Sequence, residues 1–200
     1  MKLIAEGRAS QILDLGDGRV LRLFKTVGNA AQEARVMEHA RRHGYPVPAV
    51  HEVRPDALVL ELVEGPTMAA DGLANRRAME AHAKTLAALH ERLHRIPGLE
   101  QGTLLHLDLH PENVLISKRG PVVIDWTNAR DGEPELDAAL AWLILMTSGG
   151  AAGQQFARLF ARHVDVRSGL EEAARYRLAD RNVTDAERAE VQRLVATQYD

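Results

Sequence analysis

The hydrophobic period of this 200-residue chain alternates between strand-like and helical, with a boundary between two units near residue 63, and that pattern limits the folds open to it. Before that boundary, apolar residues come in short runs: KLIAEG at 2–7, QILDLG at 11–16 and RVLRLFK at 19–25, the last two separated by Asp17-Gly18. Asp-Gly is a strong tight-hairpin signal, so these runs predict an antiparallel meander. Residues 29–43 switch to helical spacing and stop at Gly44, with Pro46 and Pro48 beyond. Two more strands are predicted around 49–53 and 57–62, and Gly65-Pro66 then makes a natural hinge. From 75 to 95 the spacing is helical again, with Leu86, Leu89 and Leu93 on one stripe. VLIS (114–117) and VVID (122–125) read as short strands around a turn at Gly120-Pro121, and the chain after Glu135 reads as helices. In the last of these, Thr184 and Glu187 form a capping box. The expected division is an N-terminal unit, 1–63, and a C-terminal unit, 64–200.

Composition excludes several classes of function. With a formal charge of -3, cations scattered among anions and 4% aromatics, the chain has neither the basic face nor the stacking platform of a nucleic-acid binder. No apolar run approaches the roughly 20 residues that span a bilayer, and the start, MKLIAEGRAS, lacks the pattern of a signal peptide. A soluble, cytoplasmic protein without a membrane partner is expected. The absence of cysteine excludes thiolate nucleophiles and cysteine-based metal sites.

Two motifs then compete within HERLHRIPGLEQGTLLHLDLHPEN, residues 90–113. His90-Glu91-x-x-His94 is the zinc-helix pattern of metalloproteases, in which two histidines share a helix face and the glutamate acts as base. The extended form fails, because Pro97 stands where glycine is required and Glu100 where a third histidine is required. Nothing in the sequence nominates another third ligand. His90 and His94 are therefore expected on the partly exposed back of an amphipathic helix, without zinc. The rival is His106-x-Asp108-x-x-x-x-Asn113, a loop leading into one short strand, with a second strand ending in Asp125. Phosphoryl transfer needs a carboxylate to orient and deprotonate the attacking hydroxyl, and oxygen ligands for Mg²⁺ on the nucleotide phosphates. Asp108 suits the first task; Asn113 and Asp125, brought to one end of a strand pair, suit the second.

HLDLHPENVLI followed by VVIDW resembles the aminoglycoside phosphotransferase-like branch of the protein-kinase-like superfamily. The resemblance runs from residue 1 to about 147. It implies an α+β bilobal kinase-like fold in a short version: a small antiparallel-sheet lobe with one helix, and a mainly helical lobe. It also implies ATP and Mg²⁺ as cofactors. By the same resemblance, the segment Gly7 to Ser10 covers the nucleotide phosphates, although EGRAS departs from the glycine-rich pattern. Glu33 takes the place of the ion-pair carboxylate, and backbone groups of Glu61 to Val63 hold adenine. The family's lysine position falls on Arg22, with Lys25 as the alternative; Val20 and Arg22 share one side of their strand. Arginine brings a planar fork in place of a point charge. His106 is expected to buttress the loop, His110 to meet either substrate or solvent, and Asp137 to bond backbone amides.

The function expected is ATP-dependent transfer of the γ-phosphate to a hydroxyl of a small molecule. Between Asp125 and Glu135 stands only WTNARDGEP, too short for the activation segment on which protein kinases dock peptides. Thr127 is its sole hydroxyl. The helices after Thr147 are brief, which predicts a pocket that is shallow or completed by another subunit. Asp131, Glu133, Glu171 and Glu172 are the acidic residues that a cationic acceptor would meet there. A nucleotide-binding pseudokinase or regulatory module, and an atypical protein kinase, stand as alternatives, with the zinc metalloprotease behind them.

Overall fold

The computed structural model describes residues 1–7, 10–25, 30–73 and 76–197. The expected helix starts at Asn29 and Asn75, and Arg8 and Ala9 of the Gly7–Ser10 segment, lie outside the described residues.

Strands β1 (Lys2–Glu6), β2 (Ser10–Asp14), β3 (Arg19–Phe24), β4 (Val50–Val53) and β5 (Ala57–Glu61) form one antiparallel sheet in the order β1-β2-β3-β5-β4. The meander arises where the sequence placed its turn signals, with Gly16 and Gly18 at positive φ between β2 and β3. Alternation along β3 separates its side chains: Val20 and Phe24 join the main core beneath the sheet, while Leu21 packs with Ala57 and Val59 on the other face. Arg22 shares the core-facing side with Val20 and is itself buried. Helix α1 (Ala30–Arg42) covers that side through Ala34, Val36, Met37 and Ala40, and buries Glu33 with them.

The chain leaves the sheet after Glu61 and passes Gly65 against the next hairpin. Ile116 N–H donates to Pro66 C=O at 2.8 Å, and Thr67 pairs with Leu115. Helix α2 (Met68–Leu73) follows, then α3 (Arg76–Leu93), whose Leu86, Leu89 and Leu93 are almost wholly buried. Each such leucine contributes roughly 1.5–3 kcal/mol by leaving water. Strand β6 (Thr103–Leu105) precedes the loop of interest, a 3-10 turn at Pro111–Asn113 ends it, and β7 (Val114–Ser117) pairs with β8 (Gly120–Val123). Strand β9 (Arg130–Gly132) returns to β6. Helices α4 (Pro134–Ser148), α5 (Gly150–Phe160), α6 (Leu170–Ala179) and α7 (Asp185–Ala196) complete the chain, and the capping box at Thr184 and Glu187 is formed. The architecture is the expected α+β kinase-like one. Helix α2 and the β6–β9 pair carry no signal in the sequence. No helix among the described residues is long and apolar enough to cross a membrane.

Gly65 is required by geometry. Its φ is 149°, and a Cβ there would lie 2.1 Å from the Ile116 carbonyl oxygen, which is backbone and cannot swing away. Gly65→Ala should cost about 1–3 kcal/mol, read as a lowered urea midpoint at unchanged slope. An unchanged midpoint would show that the hinge can move off β7 freely.

Candidate active site

The loop from His106 to Asn113 is held by a buried carboxylate from a distant helix. Asp137, in the first turn of α4, accepts the His106 amide at 3.0 Å and the Leu107 amide at 2.7 Å, as well as His94 Nε2 at 3.1 Å. Burial opposes its charge, but those donors and the nearby imidazoles outweigh it and hold the carboxyl far below the usual carboxylate range. Leu107 sits at φ 60°, a conformation a branched side chain adopts only when its surroundings force it, at roughly 1–3 kcal/mol. Asp137 provides that force and so aims Asp108 outward. His106 is buried, with its ring against Trp126 and Nε2 3.1 Å from the Ile124 carbonyl, the buttress expected of it.

Asp108 and Asn113 close on each other across the loop. Asn113 Nδ2 donates to the Asp108 carbonyl at 2.9 Å and to its Oδ2 at 3.0 Å. His110 caps the 3-10 turn by accepting the Glu112 amide on Nδ1, at 3.4 Å. With Nδ1 an acceptor, the proton rides on Nε2, which lies 3.3 Å from Asp108 Oδ1. His110 is thus a neighbour of Asp108 and not a free surface residue. The strand pair brings Asp125 alongside, since Ile124 N–H donates to the Asn113 carbonyl at 3.0 Å.

Arg22 joins this cluster to the sheet. Its Nη1 meets Glu33 Oε1 at 2.6 Å, and its Nη2 meets both Asp125 Oδ1 at 2.6 Å and Thr127 Oγ1 at 2.9 Å. Burial is the largest influence on Glu33 and raises its carboxyl despite Arg22. Burial also acts on Asp125, but there the Arg22 charge and hydrogen bond prevail and the carboxyl is lowered. Asp125, like Leu107, stands at positive φ, 63°. Lys25, the other cation considered, pairs with Glu6 on the exposed edge of the sheet. Thr127, passed over as a lone loop hydroxyl, links Glu33 and Asp125 at 3.1 and 2.9 Å; its position two residues after Asp125 was the only available clue.

A cleft of about 1120 Å³ opens in front of these groups. Gly7, Ser10, Asp108 and Asp125 line it, with Arg22 and Glu33 behind Asp125; Asn113 stands behind Asp108, and Glu61 and Val63 lie elsewhere. Its far wall comes from α4, α5, α6 and α7 and the turn after α6, including Tyr176, Arg177 and Asp180, so brief helices still border a sizeable space. The acids named from sequence do not face it. Asp131 instead caps the backbone amides of Leu99, Glu100 and Gln101 at 2.7–3.1 Å. Asp180 and Glu187 take the lining positions, and Glu187 is brought down to about 2, first by the Ser148 hydroxyl and then by the Thr184 amide.

His90 departs furthest from expectation. It is 1% exposed, with its ring against Phe160 and Nε2 donating to the Leu109 carbonyl at 3.1 Å. Helix α3 turns this histidine inward because its apolar stripe is wider than the leucines alone suggest.

A family model described as the RIO domain matches residues 20–140. Among solved structures, the chain is similar to a thermostable mutant of the aminoglycoside phosphotransferase APH(4)-Ia in ternary complex with AMP-PNP and hygromycin B. That match has a TM-score of 0.70 and 16% identity, over 98% of this chain and 91% of the other. A GDP complex of an aminoglycoside 2'-phosphotransferase-IIIa mutant matches at TM-score 0.65 and 16% identity, over 99% and 90%. An ethanolamine kinase of Plasmodium vivax matches at TM-score 0.59 and 12% identity, over 87% and 70%. No curated protein sequence matches the chain. At these identities the likeness establishes the fold, which is the kinase-like one that the loop and IDW implied.

Burial lowers His90 to about 4 and lowers His106 as well, whereas an exposed imidazole titrates near 6.5. The unfolded chain therefore binds more protons in that window, and stability falls as pH falls through it, by at most about 1.4 kcal/mol per pH unit for each ring. Urea unfolding in chelator between pH 7 and pH 5 should show the loss. A flat profile would mean that these rings are not buried as described.

Proposed function

We infer the function from one premise: the chain belongs to the RIO-domain family. We propose that it is an ATP-dependent phosphotransferase that moves the γ-phosphate to a hydroxyl of a small molecule in the cytoplasm, where ATP is at hand. The observation that carries this reading is the convergence of Asp108, Asn113 and Asp125 from one loop and one strand pair. Asp108 is the base that takes the hydroxyl proton, with one carboxylate oxygen steadied by Asn113 and the other beside His110. The side-chain oxygens of Asn113 and Asp125 are hard donors, the type that Mg²⁺ prefers, so the residues present fit that ion. When bound, it neutralises charge on the phosphates. Gly7 and Ser10 cover the phosphates from β1 and β2, and Arg22, paired with Glu33, supports them from β3. The amides of Glu61 and Leu62 are committed to Ala49 and Gly18 carbonyls, so in this reading adenine takes its hydrogen bonds from Val63. Residues 1–63 and 64–200 then act as the two lobes.

The brevity of the segment after Asp125 supports a small acceptor. Part of it is taken up by β9, pinned to β6, which leaves little for an extended peptide to dock on. The cleft between Asp108 and the α4–α7 wall has room for a small molecule. Complexes of related fold with AMP-PNP and hygromycin B fit the same picture.

One observation favours a second reading. Arg22 Nη2 already holds Asp125 Oδ1 at 2.6 Å, which would compete with a metal for that carboxylate and suits a pseudokinase that binds nucleotide with little turnover. Two variants separate the readings. Asp125→Ala should abolish the rise in melting temperature that Mg²⁺-ATP gives the unchanged chain by binding its folded state. Asp108→Asn should keep that rise but lower acceptor-stimulated ADP release by about two to four orders of magnitude, the cost of losing a positioned base. Unchanged turnover in Asp108→Asn would refute the catalytic assignment. ATP binding with no turnover, across a panel of hydroxyl-bearing metabolites and a protein lysate, would establish the pseudokinase.

A further inference from the structure

The helical pair His90 and His94 takes no part in the chemistry proposed above, yet it faces a third potential ligand across the gap between α3 and α4. His94 Nε2 lies 3.1 Å from Asp137 Oδ2, and His90 Nδ1 lies 3.9 Å from the same oxygen. All three donor atoms fall within 4.8 Å of one another. Side-chain exposure is 1% for His90, 13% for His94 and 0% for Asp137, so bulk water does not fill the space between them.

Proton bookkeeping makes the arrangement incomplete as it stands. A carbonyl oxygen only accepts, so the 3.1 Å contact from His90 Nε2 to Leu109 C=O places the ring hydrogen on Nε2. The Nδ1 of the neutral ring is then a bare lone pair. It has no hydrogen-bond partner among the described residues, and it points toward a carboxylate oxygen, itself an acceptor. Two electron-rich atoms facing each other in a dry interior repel unless positive charge lies between them. A divalent cation held by both atoms supplies that charge.

Zinc sits about 2.0–2.2 Å from histidine nitrogen and carboxylate oxygen, so neighbouring ligands in a tetrahedral shell stand roughly 3.3 Å apart. The observed 3.1 and 3.9 Å bracket that separation. Two imidazoles with one carboxylate suit zinc better than Mg²⁺ or Ca²⁺, which take oxygen. We propose that His90 Nδ1, His94 Nε2 and Asp137 Oδ2 bind a divalent cation of the zinc class.

The site is structural. Glu91, the base of a hydrolytic zinc helix, is turned to solvent and paired with Arg95, and none of the three ligands lines the catalytic cleft. His94 carries its proton on Nδ1 when its Nε2 takes the metal. Asp137 Oδ2 keeps the His106 amide, and Oδ1 keeps the Leu107 amide, because each carboxylate oxygen has two lone pairs. The cation therefore ties α3 to α4 and, through Asp137, to the backbone that positions Asp108.

The full chain, stripped with chelator and held in excess Mg²⁺ to occupy the oxygen site, is titrated with Zn²⁺ against a chromogenic chelator. One equivalent should bind and raise the melting temperature. His94→Gln should weaken binding by more than the roughly 10–100-fold that losing an outer-shell partner costs, while Asp125→Ala should bind zinc as before. Because His94 is slightly exposed, the glutamine variant should fold, as far-ultraviolet circular dichroism would verify. Should it not, Co²⁺ added to the Asp125→Ala chain decides the matter: a strong tetrahedral visible band at one equivalent supports the site, and its absence overturns it. Failure to bind zinc in Mg²⁺, or undiminished binding in folded His94→Gln, also overturns it. None of these readouts depends on phosphotransferase activity, so failure of the functional proposal leaves this one standing, and the reverse.

Discussion

Asp137 is a carboxylate with no exposed surface, and the geometry of the candidate active site hangs from it. Removing such a group from water costs several kcal/mol, which only a nearly complete set of donors offsets. Here the donors are two successive amides of the loop before Asp108 and an imidazole from α3. The arrangement holds Leu107 in a left-handed conformation and keeps that strain in the folded state. The loop is rigid because a charge in α4 has nowhere else to find its hydrogen bonds. The same dependence makes the loop sensitive to anything that alters the histidines around Asp137.

A second network couples the sheet to this loop. Arg22 is a single side chain from β3, yet its guanidinium contacts a residue of α1 and two of the segment that follows β8. A lysine in that place would have one nitrogen to share among three oxygens. The fork lets two nitrogens divide the work, which explains how Glu33, Asp125 and Thr127 are all held in a partly dry space.

Much of the fold was legible in the sequence where signals are local. Asp17-Gly18 announced a hairpin, Gly44 with two prolines ended α1, and alternation in RVLRLFK set Arg22 opposite Leu21 and Leu23. The Asn113–Asp108 contact is local as well, because five residues of loop fix how Asn113 can reach Asp108. What failed was contact between distant segments. His90 looked like a half-exposed helix residue because the partner that buries it, Phe160, is 70 positions away. Its third neighbour, Asp137, was 43 residues beyond His94 and carried no spacing rule. Asp131 looked available to a ligand because nothing in its own neighbourhood predicts three amides arriving from residues 99–101. Strands β6 and β9 have three residues each, too few for alternation to register.

The Arg22 bridge also changes what kind of event nucleotide binding is. A vacant carboxylate gains a counterion when metal arrives, whereas Asp125 already has one. On the proposed function, nucleotide binding would be an ion exchange: Arg22 would give up Asp125 for the phosphates, and Asp125 would be left to hold a metal. Few charges are newly desolvated in such a swap, so the net energy is a small difference between two large attractions. On that reading, affinity would depend on the pair formed by Arg22 and the phosphate chain.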